Sequence, residues 1–259
     1  ISFGGAYECG ADKVLNITVP EGLTVDSAVE TVNAAFDAEN PEVVLVEACR
    51  HMKVIAGSLA FHADTAVITD VTAFEAGGAK SMYFGGIAER VQKAAGNVAI
   101  YTVGAGVFDG AEGANGSVAE QEWVAPARPV KVVSSQVIEK SGVNLFKADV
   151  VVAAGRGFAE ESQLSLANDL CDKLGAGLAC SRPLTEGVNW LPTERYVGVS
   201  GLMLTPKVYI AAGVSGQMQH MVGCNRSGAI FAINKDKNAP IFKQCDFGLI
   251  GDIKDVLPA

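Results

Sequence analysis

Five short apolar runs, each ending in small or polar residues, constrain this chain most. They are Val150–Ala154, Leu178–Cys180, Lys207–Ala212, Ala229–Ile233 and Phe247–Ile250. They lead into Gly155-Arg156-Gly157, Ser181-Arg182-Pro183, Gly213-Val214-Ser215-Gly216, Asn234-Lys235-Asp236 and Asp252. A strand that is apolar throughout needs cover on both faces, which parallel sheets flanked by helices provide. The amphipathic run Ser162–Leu174, stopped by Gly175 and Gly177, supplies such a helix. Residues 141–259 are therefore expected to form an open parallel α/β domain. In such sheets ligands bind beyond the carboxyl ends of the strands, where all the polar groups above fall.

The first 140 residues also alternate strand and helix signals. Lys13–Ile17, Val43–Val46, Thr65–Asp70 and Val98–Val103 read as strands, with Val43–Val46 apolar enough to be covered on both faces. Val25–Glu39 has helical spacing, Thr24 as a candidate N-cap and Pro41 as a stop; Lys53–His62 is a second helix. Ala73–Lys93 is ambiguous, with Met82–Phe84 and Gly85-Gly86 marking a hairpin or a bend. Residues 110–117 read as an exposed loop, Trp123–Val133 as extended, and Val130–Ile138 as a last strand. Residues 139–144 are the expected linker between a domain over 1–140 and one over 141–259.

Net charge is −9 and all of it lies in residues 1–140, which hold 9 Lys+Arg against 18 Asp+Glu; residues 141–259 hold 11 of each. A nucleic-acid partner needs a basic track, which is missing, and an anionic membrane surface is disfavoured for the same reason. No apolar run approaches the length of a membrane helix, so membrane insertion is not expected. The neutral half can host an anionic ligand. The six cysteines form no C-x-x-C pair. They read as buried free thiols, which suggests a reducing compartment, the cytoplasm.

Taken singly, the polar groups decide little. Gly155-Arg156-Gly157 is not G-x-G-x-x-G, so the dinucleotide fingerprint is absent, and a tight turn with a solvated Arg156 serves equally well. Ser215-Gly216 before a helical turn could offer N–H groups and a hydroxyl to phosphate, or be an ordinary cap. His220 would usually be structural, Arg182 a salt-bridged strand end, and Asp252 a cap for Ile253–Val256. Met218 and Met221 read as packing residues. No Cys/His group has metal-ligand spacing, and Val214-Ser215-Gly216 only partly matches a nucleophile elbow.

Together these segments resemble the alpha subunit of electron transfer flavoproteins. The likeness is carried by Val150-Val-Val-Ala-Ala-Gly-Arg-Gly157, Ala179-Cys-Ser-Arg182, Tyr209-Ile-Ala-Ala-Gly-Val-Ser-Gly-Gln-Met-Gln-His220, Ala232-Ile-Asn-Lys-Asp236, Ala239-Pro-Ile-Phe242 and Phe247-Gly-Leu-Ile-Gly-Asp252. Cys180-Ser-Arg-Pro183 and Arg195-Tyr-Val-Gly-Val-Ser200 look most like the FixB-type bacterial branch. The first half is similar more weakly, at Gly10-Ala-Asp-Lys-Val14 and around residues 103–109. Family members carry a strand–helix–strand unit ahead of the segment aligned with Gly10–Val14. The resemblance therefore implies an N-terminal α/β sheet that lacks its first strands.

The resemblance implies FAD in the second domain, an electron transfer flavoprotein beta subunit as partner, and electron relay between an acyl-CoA dehydrogenase or similar redox partner and another. The chain would then be a carrier rather than an enzyme. Arg182 would lie against the isoalloxazine, Ser181 near the phosphates, and His220 at the flavin C2 carbonyl. Ser200 stands where many members carry Thr, whose hydroxyl meets flavin N5. Ser215, Gly216 and Gln219 would hold the ribityl–diphosphate stretch. Asn234, Lys235 and Asp252 would hold the adenosine end, and Arg156 joins the cofactor-binding set. Tyr196 and Val199 replace the family's frequent Gln and inherit no polar role. A protonated His220 and the Arg182 cation would favour negative charge on the reduced flavin. Two other classes fit the same strand ends: an NAD- or nucleotide-using α/β enzyme, and a non-redox protein that keeps the fold for binding partners.

Overall fold

The structure is a computed structural model that describes residues 1–5, 8–104, 106–110, 113–136 and 143–259. The chain divides into two compact units, Ile1–Tyr83 with Glu89–Ile138, and Phe84–Ala88 with Glu139–Ala259. Residues 139–142 of the expected linker lie outside the described residues.

The first unit opens with β1 (Ser2–Phe3), β2 (Lys13–Ile17) and α1 (Val29–Glu39), followed by β3 (Val43–Glu47) and α2 (Arg50–His62). Then come β4 (Val67–Glu75), β5 (Gly78–Tyr83), β6 (Ala88–Gln92), β7 (Ala99–Val103) and β8 (Ser117–Glu120). They form two sheets, ordered β1-β2-β8 and β3-β7-β4-β5-β6. Periodicity explains the helices: α1 buries Val32 and Ala35, α2 buries Ile55, Ala56, Leu59 and Ala60, and both pack with Ile17, Val46 and Ile100. Asn40 closes α1 in the left-handed conformation at φ 45°.

Several expectations for this half are corrected. Val43–Val46 is not covered on both faces: β3 is an edge strand, and Val43 and Leu45 are 55% and 61% exposed. Residues 25–28 form a 3-10 turn ahead of α1, and Thr24 precedes that turn without a side-chain cap, its hydroxyl donating instead to Asp26. The strand begun near Thr65 continues to Glu75 and turns into an antiparallel partner, β5. Residues 117–120, read as part of a loop and its flank, are a strand. No strand forms over the described part of residues 130–138, where Lys131 makes only an isolated bridge to Leu23. Residues 137 and 138 lie outside the described residues.

The second unit contains β9 (Val150–Ala154), α3 (Leu164–Leu174), β10 (Gly177–Cys180), β11 (Val208–Ala212), α4 (Met218–Met221), β12 (Ala229–Asn234), β13 (Phe247–Ile250) and α5 (Ile253–Val256). All five strands are parallel, in the order β10-β9-β11-β12-β13. The two-residue period sorts their side chains. Val151, Ala153, Tyr209 and Ala211 enter one core with Leu204, Met221 and Ile241. Val152, Ala154 and Ala212 enter the opposite core with Leu164, Ala167 and Cys171 of α3 and Ile253 of α5. Gly175 ends α3 at φ 61°, whereas Gly177 starts β10 rather than stopping the helix. Residues 196–199 make only isolated bridges, not a strand.

This order has a switch point. The chain leaves β9 for β10 on one side, then crosses back to place β11 on the other. The crevice between the carboxyl ends of β9 and β11 is where a doubly wound sheet receives a ligand.

Candidate functional site

At that crevice the backbones meet closely. A Cβ built on Gly155 would stand 2.3 Å from the Gly213 carbonyl oxygen, and one on Gly157 2.5 Å from Gly213 Cα. Gly213 itself takes φ 65°. Glycine is thus required on both sides, and the Gly157 N–H donates to the Gly213 carbonyl at 2.9 Å. The turn opens a cavity of about 590 Å³, within the usual size range of cofactor sites. Every strand of the sheet contributes to it from its carboxyl end.

Of the residues expected from sequence, Arg156, Ser181, Arg182, Ser200, Ser215, Gln219, His220, Asn234, Lys235 and Asp252 line this one cavity. Gly216 does not. It takes φ 82° one layer behind, where a Cβ would fall 2.4 Å from the Ile241 backbone, and its carbonyl accepts from Gln244 Nε2. Its part is to let the loop pass Ile241. The helix after it, α4, is a single turn capped by Gln217 without a side-chain bond. Ser215 is therefore no N-cap, and any anion here would meet loop groups rather than a long helix dipole.

Arg182 ends β10 and is held by Glu186 across a π-type turn, Pro183–Gly187, with Nε donating to Oε2 at 2.6 Å. That bond raises the Arg182 pKa above its ordinary value. The side chain stays 59% exposed. Arg156 and Lys235 are exposed cations on the same rim. Asn234 works internally: Nδ2 donates to the Val214 carbonyl and Oδ1 accepts from the Asp236 N–H, tying the β11 and β12 loops together. Asp252 does cap α5, accepting from the Lys254 N–H at 3.0 Å. It lines the cavity in that position.

His220 lies on α4 with its ring buried against Tyr209 of β11, Nε2 to Oη 2.9 Å. Nδ1 is also buried, and the Val197 backbone is the further polar group that acts on the ring. Burial lowers its pKa to about 4. Near neutrality the desolvated ring is therefore neutral, and the protonated His220 expected above would need the negative charge of a reduced flavin beside it. Tyr209, fully buried, is pushed in the opposite direction, well above its ordinary pKa, by the same desolvation.

Sequence reasoning gave Tyr196 and Val199 no polar role and did not select Gln217 or Asp236, yet all four line the cavity. Tyr196 matters most, because its Oη lies 3.1 Å from Ser200 Oγ. Its signal in the sequence was the pair Gly198 and Gly201 just after it, where the Tyr196 side chain leaves no room for a Cβ. Among the described residues no cluster of three His, Cys, Asp or Glu could hold a metal, and no helix is long and apolar enough to cross a membrane. All six cysteines are free; Cys171, Cys180 and Cys224 are buried, but Cys9 is exposed and Cys49 and Cys245 half-buried.

The fold and the cavity define a class: a doubly wound parallel domain with a cavity where its strands end. Comparison with known proteins narrows it. Residues 144–225 match the electron transfer flavoprotein FAD-binding domain, and residues 5–128 match the electron transfer flavoprotein domain. The chain is 42% identical to Protein FixB of Escherichia coli O127:H6 over 263 residues, covering 98% of this chain and 84% of that one. Protein FixB of Shigella dysenteriae serotype 1 gives the same figures. For Protein FixB of Escherichia coli O1:K1 the match is 42% over 224 residues, 84% of this chain and 72% of the relative. The chain belongs to the electron transfer flavoprotein family, in its alpha subunit and FixB-type branch. Members of that family are electron carriers whose alpha subunits normally pair with a beta subunit.

Proposed function

We propose that residues 141–259 bind one FAD in this cavity. In our reading the chain relays electrons as the alpha subunit of a heterodimer in the cytoplasm. It takes them from a dehydrogenase of the acyl-CoA type, or a similar donor, and passes them to a second redox partner. The observation that carries this reading is the convergence of Arg156, Ser181, Arg182, Ser200, Ser215, Gln219 and His220 on the switch-point crevice, where Gly155, Gly157 and Gly213 let the two loops pack backbone to backbone.

The donor set fits a flavin dinucleotide. His220 lines the cavity with its ring fixed by Tyr209 Oη, and the close backbones of Gly155, Gly157 and Gly213 shape the crevice beside it. Arg182 donates to Glu186 through Nε, which leaves its outer nitrogens for a ligand. In this assignment Arg182 lies along the isoalloxazine, Ser200 donates at N5, His220 faces the C2 carbonyl and Ser181 meets the phosphate region. Ser215 and Gln219 hold the ribityl–diphosphate stretch, with Gly216 shaping their loop. Lys235 and Asp252 take the adenosine end, and Asn234 braces the loops around it. The bound flavin supplies the redox chemistry; these residues hold, orient and partly dehydrate it.

The test is extraction of the purified chain and its co-purification with the cognate beta subunit. About one FAD per chain and a stable one-to-one complex support the proposal. A nicotinamide or free nucleotide in place of flavin would favour the enzyme class weighed above.

A further inference from the structure

The loop 196–202 in the cavity wall is built around one side chain. Tyr196 is only 6% exposed, whereas Ser200 is exposed, and both line the cavity. The loop is pinned at both ends: Val197 N–H donates to the Cys180 carbonyl at 2.9 Å, and Val199 N–H to the Gln219 carbonyl at 2.8 Å. Inside it, Leu202 N–H donates to the Tyr196 carbonyl, and Gly198 N–H to the Leu202 carbonyl. A Cβ on Gly198 would stand 2.8 Å from Tyr196 Oη, and one on Gly201 2.5 Å from the ring. The phenol oxygen is thus held in one place. Its hydrogen-bond partner among the described residues is Ser200 Oγ at 3.1 Å.

We propose that Tyr196 is a positioning residue whose phenol O–H donates to Ser200 Oγ and so commits the Ser200 O–H to donate into the cavity, onto flavin N5. The inference rests on the FAD reading given above. A phenol, with an ordinary pKa of about 10, is a much stronger donor than an alkyl hydroxyl, so the polarity runs from Tyr196 to Ser200. An oxygen that accepts one hydrogen bond becomes a better donor and a poorer acceptor of a second. Ser200 therefore favours a ligand nitrogen that bears a lone pair over one that bears a hydrogen. N5 has the lone pair when the flavin is oxidised or carries one electron without a proton. Tyr196 touches N5 only through Ser200, so its effect is on where a proton resides.

The experiment loads the full chain with FAD and adds one electron per flavin from dithionite. The spectrum then reports, across pH, whether a proton from water has added to N5. In Tyr196→Phe the pKa of the one-electron-reduced flavin is expected to rise by about one pH unit, a tenfold gain in proton affinity equivalent to about 1.4 kcal/mol. In a Ser200→Ala background the same substitution should add no further shift, because the hydroxyl it acts through is gone. An unchanged pKa in FAD-loaded Tyr196→Phe, or an equal shift with and without Ser200, overturns the role of Tyr196 and leaves the FAD reading standing. A wild-type chain that takes up no FAD overturns both.

Discussion

Replacing His220 by Gln should flatten the acid side of the stability profile of this protein. In the native chain the buried ring has its pKa lowered to about 4, against an ordinary value near 6.5. Above pH 6.5 neither state binds the proton, and below pH 4 both do. Between them only the unfolded chain is protonated, so stability falls as pH drops through that window. At about 1.4 kcal/mol per pH unit the full loss attributable to this one group is about 3 kcal/mol. Urea denaturation at half-unit steps from pH 7.5 to 4 would measure it, read as the difference between wild type and His220→Gln. That difference removes the contribution of His51 and His62, which pair with Asp26 and Asp37 at the surface. The imidazole resonance of His220, followed by NMR, should titrate near pH 4. Parallel slopes in wild type and variant, or a midpoint near 6.5, would refute the claim that burial keeps this ring neutral.

Two further outcomes follow from the site. Arg182→Ala should lower the potential of the first electron added to bound flavin, because one cation leaves the rim; an unchanged potential in reductive titration would make Arg182 a strand-end residue only. Gly155→Ala drives a methyl group to 2.3 Å from the Gly213 carbonyl oxygen. It should destabilise the chain and abolish flavin uptake together, since backbone rather than a movable side chain is in the way, and wild-type melting with full FAD uptake would contradict the close-approach argument.

The second unit was largely legible because its strands obey a strong rule. Val150–Ala154 and Phe247–Ile250 begin and end where the apolar runs do. The first unit was harder for identifiable reasons. β8 is four exposed residues with no apolar face to announce it. β5 and β6 mix Lys80, Ser81, Glu89 and Arg90 into short strands. Val43–Val46 misled because apolarity records composition, not which neighbours arrive; β3 pairs on one side only. In the site, residue identity was readable at each strand end, but environment was not. The neutrality of His220 depends on how deeply α4 is packed against Tyr209, and the Tyr196–Ser200 bond on how a glycine-rich loop closes. Asp252 shows the two kinds of reading need not compete, since it caps α5 and lines the cavity at once.

Flavin binding is tested most directly by the visible spectrum of the purified chain, recorded before and after addition of dithionite, with flavin quantified after extraction. An oxidised flavin spectrum corresponding to about one FAD per chain, bleached on reduction and restored by air, is the expected result. A colourless protein that takes up no FAD on reconstitution, with or without the beta subunit, would contradict it.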